Sequence, residues 1–327
     1  MSFRWHELNR DFDMDIEKQA EMKAHITALK AEKKALILAH YYQVPEIQDL
    51  ADYVGDSLGL AIKAAETDAE MIVFAGVHFM AETAKILNPG KRVVLPDLNA
   101  GCSLAESCSA ADFSTFRAQH PDHIAITYIN CSAEVKACSD IICTSSNALQ
   151  IIESFPSEQP LIFAPDRNLG HWLMQKTGRD LLLWDGACSV HEAFSLEKLS
   201  ALKLMHPEAA VLAHPESQLP LIAIADFVGS TAAMLKFAET DKRKVFIIAT
   251  EAGILHKMSS RVPGKTLIAA PAYSDNACAC SECPYMKMNT LEKLYMAILN
   301  GEPEITLRED LRIKALKPLQ RMLEFTD

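Results

Sequence analysis

The amino-acid sequence predicts an α/β fold of three similar αβα domains with parallel sheets, related by a pseudo-threefold axis with the active site at the centre. Short apolar stretches alternate with helical ones, which is typical of parallel sheets covered by helices on both faces. The same order of strands, polar residues and cysteines recurs three times among the 327 residues. With 49% hydrophobic and 23% charged residues, the chain has enough apolar material for such a core.

Each predicted unit begins with an apolar strand that is followed by two polar residues at positions i and i+2. Alternate residues of a strand point to the same face, so the two members of a pair are expected to point the same way. Ligands of parallel α/β sheets bind beyond the carboxyl ends of the strands, where these pairs lie. The strands are predicted at 34–39, 123–127 and 210–213, and the pairs are His40 and Tyr42, Tyr128 and Asn130, and His214 and Glu216.

A serine follows 16 or 17 residues after the first member of each pair and is predicted to open a helix. One such serine is usually only a helix cap. Three at matching positions, with Ser146 and Thr231 beside them, favour a site for a small polyanion, because helix N-termini attract carboxylates and phosphates. Two further strands complete each unit. The serines are Ser57, Ser145 and Ser230, and the further strands are predicted at 71–75, 92–95, 161–164, 181–184, 245–249 and 266–269.

Each unit closes on cysteine, of which the chain has nine. The closing residues are Cys102, Cys188 and one of Cys278, Cys280 and Cys283, between which spacing does not decide. Three thiolates from three units can bind zinc or an iron–sulfur cluster and leave a metal position open, where the metal acts as a Lewis acid. The other four are predicted to be small buried side chains: Cys108, Cys131, Cys138 and Cys143.

Charge and hydropathy argue against two classes of partner, nucleic acid and membrane. The formal net charge of −11 disfavours an extended nucleic-acid groove, which needs clustered lysine and arginine. No apolar run reaches the ~18 residues of a membrane span, and the first residues lack the apolar segment of an export signal. We therefore expect a cytoplasmic location, where cysteines stay reduced.

The repeats also predict domain boundaries. The first αβα domain, with an N-terminal helix, covers residues 1–115, and the second covers 116–200. The third covers 201–327 and includes C-terminal helices. Three such domains whose strand ends face one axis would bring the polar pairs and the closing cysteines together in one central cavity.

Longer motifs, spread over nearly the whole chain, make the sequence resemble the quinolinate synthase family. Together these motifs are highly specific. They are AHYYQ (39–43), GDSLGLA (55–61), GVHFMAETAKIL (76–87), LPDLNAGCSLA (95–105), YIN (128–130), CTSSNA (143–148), FAPDRNLG (163–170), GACSVHE (186–192), AHPE (213–216), GSTAAM (229–234), TEAGILHKM (250–258) and CPYMKMNTLEKL (283–294).

The resemblance implies an activity in NAD biosynthesis. Iminoaspartate condenses with dihydroxyacetone phosphate to give quinolinate, phosphate and two waters. It also implies one [4Fe–4S] cluster per chain, held by one cysteine from each domain; motif matching selects Cys102, Cys188 and Cys283. The open iron then assists dehydration as a Lewis acid, and Cys278 and Cys280 become regulatory or incidental.

The same matching implies roles for the residues around the cavity. His40, Tyr128, His214 and Glu216 contact substrate, and Phe79 forms an apolar wall. Carboxylate and phosphate binding is expected of Ser57, Asn130, Ser145, His191, Ser230 and Thr231. Proton transfer is expected of Glu216, Tyr42, Tyr128 and His214, with His40 as a substrate positioner or acid.

The expected partners are the two small-molecule substrates, with a transient contact with L-aspartate oxidase as a further hypothesis, because that enzyme supplies the unstable imine. Two alternatives stay open. One is another three-cysteine [4Fe–4S] hydro-lyase with the same open iron. The other is a non-catalytic zinc or redox-sensing protein that uses the Cys-x-Cys-x-x-Cys run at 278–283.

Overall fold

The computed structural model describes residues 16–273 and 281–325 of the chain. Within these ranges the strands form three parallel sheets of four strands each. In every sheet the second, first, third and fourth strands of one unit lie side by side in that order. The α/β class is therefore confirmed. None of the helices in these ranges is both long enough and apolar enough to cross a membrane.

The first unit carries the N-terminal helix and the first sheet. Helix α3 begins where the Asp56 carboxylate accepts a hydrogen bond from the Gly59 N–H and caps the helix. The elements are α1 (Ile16–Glu32), β1 (Ala35–His40), α2 (Pro45–Leu50), β2 (Tyr53–Gly55), α3 (Ser57–Glu66), β3 (Met71–Ala75), α4 (His78–Leu87), β4 (Arg92–Val94) and α5 (Ser103–Glu106).

The second and third units repeat this order. The second comprises α6 (Ala110–Ala118), β5 (Ile124–Tyr128), α7 (Ala133–Ala137), β6 (Ile141–Cys143), α8 (Ala148–Glu153), β7 (Leu161–Ala164), α9 (Arg167–Thr177), β8 (Leu182–Leu183) and α10 (Ser189–Glu192). The third comprises α11 (Leu196–Met205), β9 (Ala210–Ala213), α12 (Leu219–Ile222), β10 (Phe227–Val228), α13 (Thr231–Thr240), β11 (Val245–Ala249), α14 (Ile254–Arg261) and β12 (Thr266–Ala269). A 3₁₀ turn (Met286–Met288), α15 (Leu291–Asn300) and α16 (Glu309–Leu323) follow.

Each unit has one strand more than the sequence predicts. The additional strands, β2, β6 and β10, are only two or three residues long and form one edge of each sheet. The other strands begin and end within one residue of their predicted positions. Among the cysteines predicted to be buried, Cys138 is half-buried, so that expectation is wrong for this residue.

The register of the sheets repeats almost unchanged. Paired residues on the first and second strands are 15 positions apart in every unit, as Leu38 and Tyr53 are. Paired residues on the first and third strands are 36 or 37 positions apart, as Ala39 and Ala75 are. The three units therefore share their internal geometry, which agrees with the predicted pseudo-threefold relation.

Alternate residues of the central strands face different apolar layers. In β3, Ile72 faces the layer that the first and second units share, while Val73 faces α1 and α15. In β11, Phe246 and Ile247 divide in the same way between the two layers of the third unit. Burial on both faces explains why these strands are continuous apolar runs.

The C-terminal helices do not pack on the third sheet. Helix α15 contacts α1 and β3, and α16 contacts α7, β6 and α4, so both cover the first and second units. The predicted domain boundaries after residues 115 and 200 fall inside helices α6 and α11. The domain boundaries stay a prediction.

One aspartate per unit fastens the first strand to the segment before the second strand. Its carboxylate accepts a hydrogen bond of 2.8 Å from a backbone N–H of the first strand and pairs with a cation of the preceding helix. The aspartates are Asp52, Asp140 and Asp226; the N–H groups are those of Ile37, Ala125 and Val211; and the cations are Lys30, Arg117 and Lys203.

We expect Asp140→Ala to lower the free energy of unfolding by about 1–3 kcal/mol, because the Ala125 N–H and the Arg117 guanidinium lose their shared acceptor. Chemical denaturation measures the change. Asp310→Ala, which removes an exposed carboxylate, serves as the control and should shift the free energy by less than about 0.5 kcal/mol. Equal stabilities for the two variants would contradict this role of Asp140.

Candidate active site

The three units meet at one cavity beyond the carboxyl ends of their strands. It encloses about 650 Å³ of empty space, part of it open to solvent. All the predicted site residues except Ser230 line it. They are His40, Tyr42, Ser57, Cys102, Tyr128, Asn130, Ser145, Cys188, His191, His214, Glu216, Thr231 and Cys283, and the predicted wall residue Phe79 also lines it.

The serines occupy less similar positions than the sequence predicts. Ser57 is the first residue of α3, but Asp56 is its cap. Ser145 lies before α8, whose N-cap is Asn147, so the prediction that Ser145 opens this helix is wrong. Ser57 and Ser145 thus line the cavity, and neither is the N-cap of its helix.

Only the third serine is an N-cap. The Ser230 hydroxyl accepts a hydrogen bond of 3.3 Å from the Ala233 N–H at the start of α13. Ser230 is buried and does not line the cavity, because its hydroxyl serves the helix. Thr231, the first residue of α13, lines the cavity instead.

Each of the three cysteines lies at the start of a short helical turn. Cys102 and Cys188 are the N-caps of α5 and α10, and Cys283 precedes the 3₁₀ turn. Ser103 and Ser189 join the first two turns through hydroxyl oxygens 3.0 Å apart. Backbone N–H groups of Leu104 and Ala105 point at Cys102, that of His191 at Cys188, and those of Tyr285 and Met286 at Cys283.

The three thiols resist ionisation as long as nothing compensates their charge. Burial raises the pKa of Cys102 to about 12 and that of Cys283 to about 11. Burial and the nearby Glu216 carboxylate raise the pKa of Cys188 well above its ordinary value. A bound metal would supply the missing positive charge. Cys278 and Cys280 lie outside the described residues.

Cys188 also belongs to a compact group of metal-binding side chains. Ligand atoms of Cys188, His191 and Glu216 all lie within 4.8 Å of one another. Thiolate, imidazole and carboxylate can together bind a transition metal. The described part of the chain therefore contains a Cys/His/Glu site at which a metal ion can be held.

A row of buried polar side chains crosses the cavity wall. The Tyr42 hydroxyl lies 2.6 Å from the Thr250 hydroxyl, which lies 3.0 Å from His191 Nε2. His191 Nδ1 lies 2.9 Å from Glu216 Oε2, and the Tyr128 hydroxyl donates to Glu216 Oε1 at 2.6 Å. The row passes through all three units, so it connects them as well as the individual groups.

The last two members of this row have opposite protonation states. Burial alone would raise the pKa of Glu216, but His191 and the Tyr128 hydrogen bond hold that pKa well below its usual range. Burial and the Glu216 carboxylate raise the pKa of Tyr128 far above its ordinary value. At neutral pH Glu216 is therefore an acceptor and Tyr128 a donor.

The rings of His40 and His214 are oriented by the same kind of backbone hydrogen bond. The backbone N–H two residues further on donates to Nδ1, from Tyr42 at 3.2 Å and from Glu216 at 3.4 Å. Burial lowers the pKa of each histidine to about 3, so both are neutral at physiological pH. Their protons then reside on Nε2, and His214 Nε2 lies 3.1 Å from the Ser145 hydroxyl oxygen.

Sequence reasoning missed Thr250 and Glu251. Both follow β11, the third strand of its unit, whereas the predicted polar pairs all follow first strands. The same strand-end rule, applied to every strand, would have found them. Glu251 is fully buried and lines the cavity. Further lining residues without a prediction are Asp56, Val77, Met80, Gly101, Thr144, Val190 and Met286.

Residues 24–324 match the family model described as quinolinate synthetase A protein. The chain belongs to the quinolinate synthase family. The quinolinate synthase of Trichormus variabilis is 60% identical over 307 residues, which are 94% of either chain. That of Microcystis aeruginosa is 61% identical over 301 residues, 92% of this chain and 94% of the relative. That of Chloroherpeton thalassium is 58% identical over 308 residues, 94% of this chain and 95% of the relative.

The match to the quinolinate synthase family includes all three sheets and every residue that lines the cavity, from His40 to Met286. The predicted family membership is confirmed. Because the relatives are covered almost to their full length, the three-unit arrangement of this chain corresponds to nearly a whole quinolinate synthase.

Proposed function

We propose that the chain is a quinolinate synthase, which condenses iminoaspartate with dihydroxyacetone phosphate and releases phosphate and two waters. One observation carries the proposal. Three thiols, one at the end of each unit, share a buried cavity with the Glu216–Tyr128 pair and the two neutral histidines. The family match supports the same activity.

The three thiols fit the iron–sulfur cluster that the family resemblance implies. Each thiol has one or two backbone N–H groups directed at it, and such contacts stabilise thiolate ligands and tune cluster potentials. We assign Cys102, Cys188 and Cys283 as the ligands of one [4Fe–4S] cluster per chain. When bound by three protein ligands, the cluster supplies an open iron that acts as a Lewis acid on a substrate oxygen.

Glu216 and Tyr128 are suited to move protons between substrate carbons and oxygens. The ionised Glu216 carboxylate can accept a proton, and the Tyr128 hydroxyl at 2.6 Å can donate one. Tyr42 and Thr250 extend the same row of polar groups along the cavity wall. Neutral His40 and His214 offer Nε2–H donors, which position substrate oxygens rather than carry charge.

Anion binding in this cavity depends on neutral groups. None of the described residues that line it is lysine or arginine. Substrate carboxylate and phosphate therefore have to be held by hydroxyls, by N–H groups and by the helix N-termini of α3 and α13. We assign this role to Ser57, Ser145, Thr231 and His191, and to Asn130, whose amide nitrogen can donate hydrogen bonds to an anion.

The family resemblance also suggests a location and partners for the chain. We propose a cytoplasmic location, and the two small-molecule substrates as the partners of the cavity. A contact with L-aspartate oxidase would shorten the path of the unstable imine. We assign Ser230 a structural role, because its hydroxyl caps α13.

We expect Cys102→Ser, Cys188→Ser and Cys283→Ser each to lose bound iron and acid-labile sulfide after anaerobic reconstitution. A serine hydroxyl is a poor ligand for cluster iron, and each unit contributes a single thiol. Iron and sulfide analysis of the brown protein measures the loss. Cys138→Ser, which changes a half-buried thiol beside Ser114, should retain both.

Two results would overturn these cysteine assignments. Retention of the cluster in Cys283→Ser, with loss in Cys278→Ser, would transfer the third ligand to Cys278. A colourless wild-type protein with stoichiometric zinc and no labile sulfide would favour the zinc or redox-sensing alternative, for which Cys188, His191 and Glu216 are a candidate site.

We expect Glu216→Gln to fold and to keep its cluster but to lose turnover by about 10²–10⁴-fold, because the amide cannot accept a proton. Quinolinate formation per bound cluster is the measurement. Glu208→Gln, at an exposed glutamate, is the matched control and should be unaffected. Near-normal turnover of Glu216→Gln would refute the proton-transfer role.

A further inference from the structure

A buried ion pair lies beside the cavity, between Glu251 and Lys287. The Glu251 carboxylate is fully buried, and the Lys287 side chain is 18% exposed. Lys287 Nζ lies 2.8 Å from Glu251 Oε1. A buried ion pair often adds little net stability, since desolvation opposes the attraction between the charges. Its other contacts therefore indicate what it does.

Both members of the pair also hold backbone groups of the site. Glu251 Oε1 accepts a hydrogen bond of 3.0 Å from the Cys283 N–H. Lys287 Nζ donates to the Tyr42 carbonyl oxygen at 2.8 Å. One ion pair thus connects a proposed iron ligand of the third unit with a proposed proton-transfer residue of the first.

The loop that contains Glu251 packs closely on the loop that contains Tyr42. Glu251 Oε2 accepts from the Gly253 N–H at 2.6 Å. A Cβ atom at Gly253 would lie only 2.9 Å from the Tyr42 carbonyl carbon, so glycine is required for this approach. Gln48 Nε2 adds a hydrogen bond of 2.8 Å to the Gly253 carbonyl oxygen.

We propose that the Glu251–Lys287 pair is a positioning device, which sets Cys283 and Tyr42 relative to each other across the contact between the first and third units. The pair acts through backbone atoms and does not itself react. Its effect on iron rests on the proposed ligand role of Cys283, whereas its effect on the Cys283 backbone does not.

The test uses a double variant, Glu251→Met with Lys287→Met, which removes both charges together and so leaves no unpaired buried charge. The matched control is Lys85→Met with Glu304→Met, which removes another partly buried ion pair away from the cavity. Both are compared with the wild-type chain by thermal unfolding, by iodoacetamide alkylation of the iron-free chain, and by iron binding after reconstitution.

In the Glu251/Lys287 variant we expect Cys283 to be alkylated several-fold faster relative to Cys102, as read by peptide mass spectrometry. We expect iron affinity to fall by about 10–100-fold, as is usual when groups that orient metal ligands are removed. Turnover per bound cluster should fall through kcat more than through KM, because Tyr42 is displaced. The Lys85/Glu304 control should keep the wild-type alkylation ratio, iron affinity and turnover. Lys287→Arg keeps a positive charge beside Glu251, so it should keep them as well.

An unchanged alkylation ratio in a folded Glu251/Lys287 variant would overturn the proposal for Cys283, and unchanged kcat per cluster would overturn it for Tyr42. If the double variant does not fold, the single variant Lys287→Met is judged by the same ratios. Absence of iron from the wild-type chain would instead contradict the proposed function, because the alkylation result does not depend on iron.

Discussion

The structure depends on a single row of buried polar contacts, from Tyr42 through Thr250, His191 and Glu216 to Tyr128. Every two consecutive members come from different units, because Tyr42 lies in the first unit, His191 and Tyr128 in the second, and Thr250 and Glu216 in the third. Buried polar groups are costly unless they are paired. These groups therefore find their partners only when all three units are assembled. The same contacts thus hold the units together and form the wall of the cavity.

The chain is acidic, with a formal net charge of −11, yet it is proposed to bind two anionic substrates. The geometry of the three repeated units explains how an acidic chain can bind anions. Parallel strands all end at the same edge of a sheet, and the helices that follow them begin there, so three sheets direct many N–H groups toward one cavity. Buried histidines and hydroxyls add uncharged donors. Among the described residues the acidic side chains other than Asp56, Glu82, Asp166, Glu216 and Glu251 are not buried, so solvent and salt screen their charge.

The sequence predicts those strands that are buried on both faces and those features that recur in all three units. Strands such as β3 are recognisable because five apolar residues are buried in succession, whereas β2 contributes only Tyr53–Gly55, in which Tyr53 is exposed. Ser145 does not open α8 because Asn147 takes the N-cap position, a choice that depends on backbone geometry. Thr250 and Glu251 follow a strand whose end was not considered, and the link from Lys287 to Tyr42 spans 245 positions, a distance at which no sequence pattern operates.

A crystal structure of the anaerobically reconstituted protein with quinolinate bound tests the central claim most directly. The account predicts one cluster held by Cys102, Cys188 and Cys283, with the product carboxylates against the hydroxyls and N–H groups that end the three units. A metal held only by Cys188, His191 and Glu216, or a ligand from positions 278–280, would contradict it.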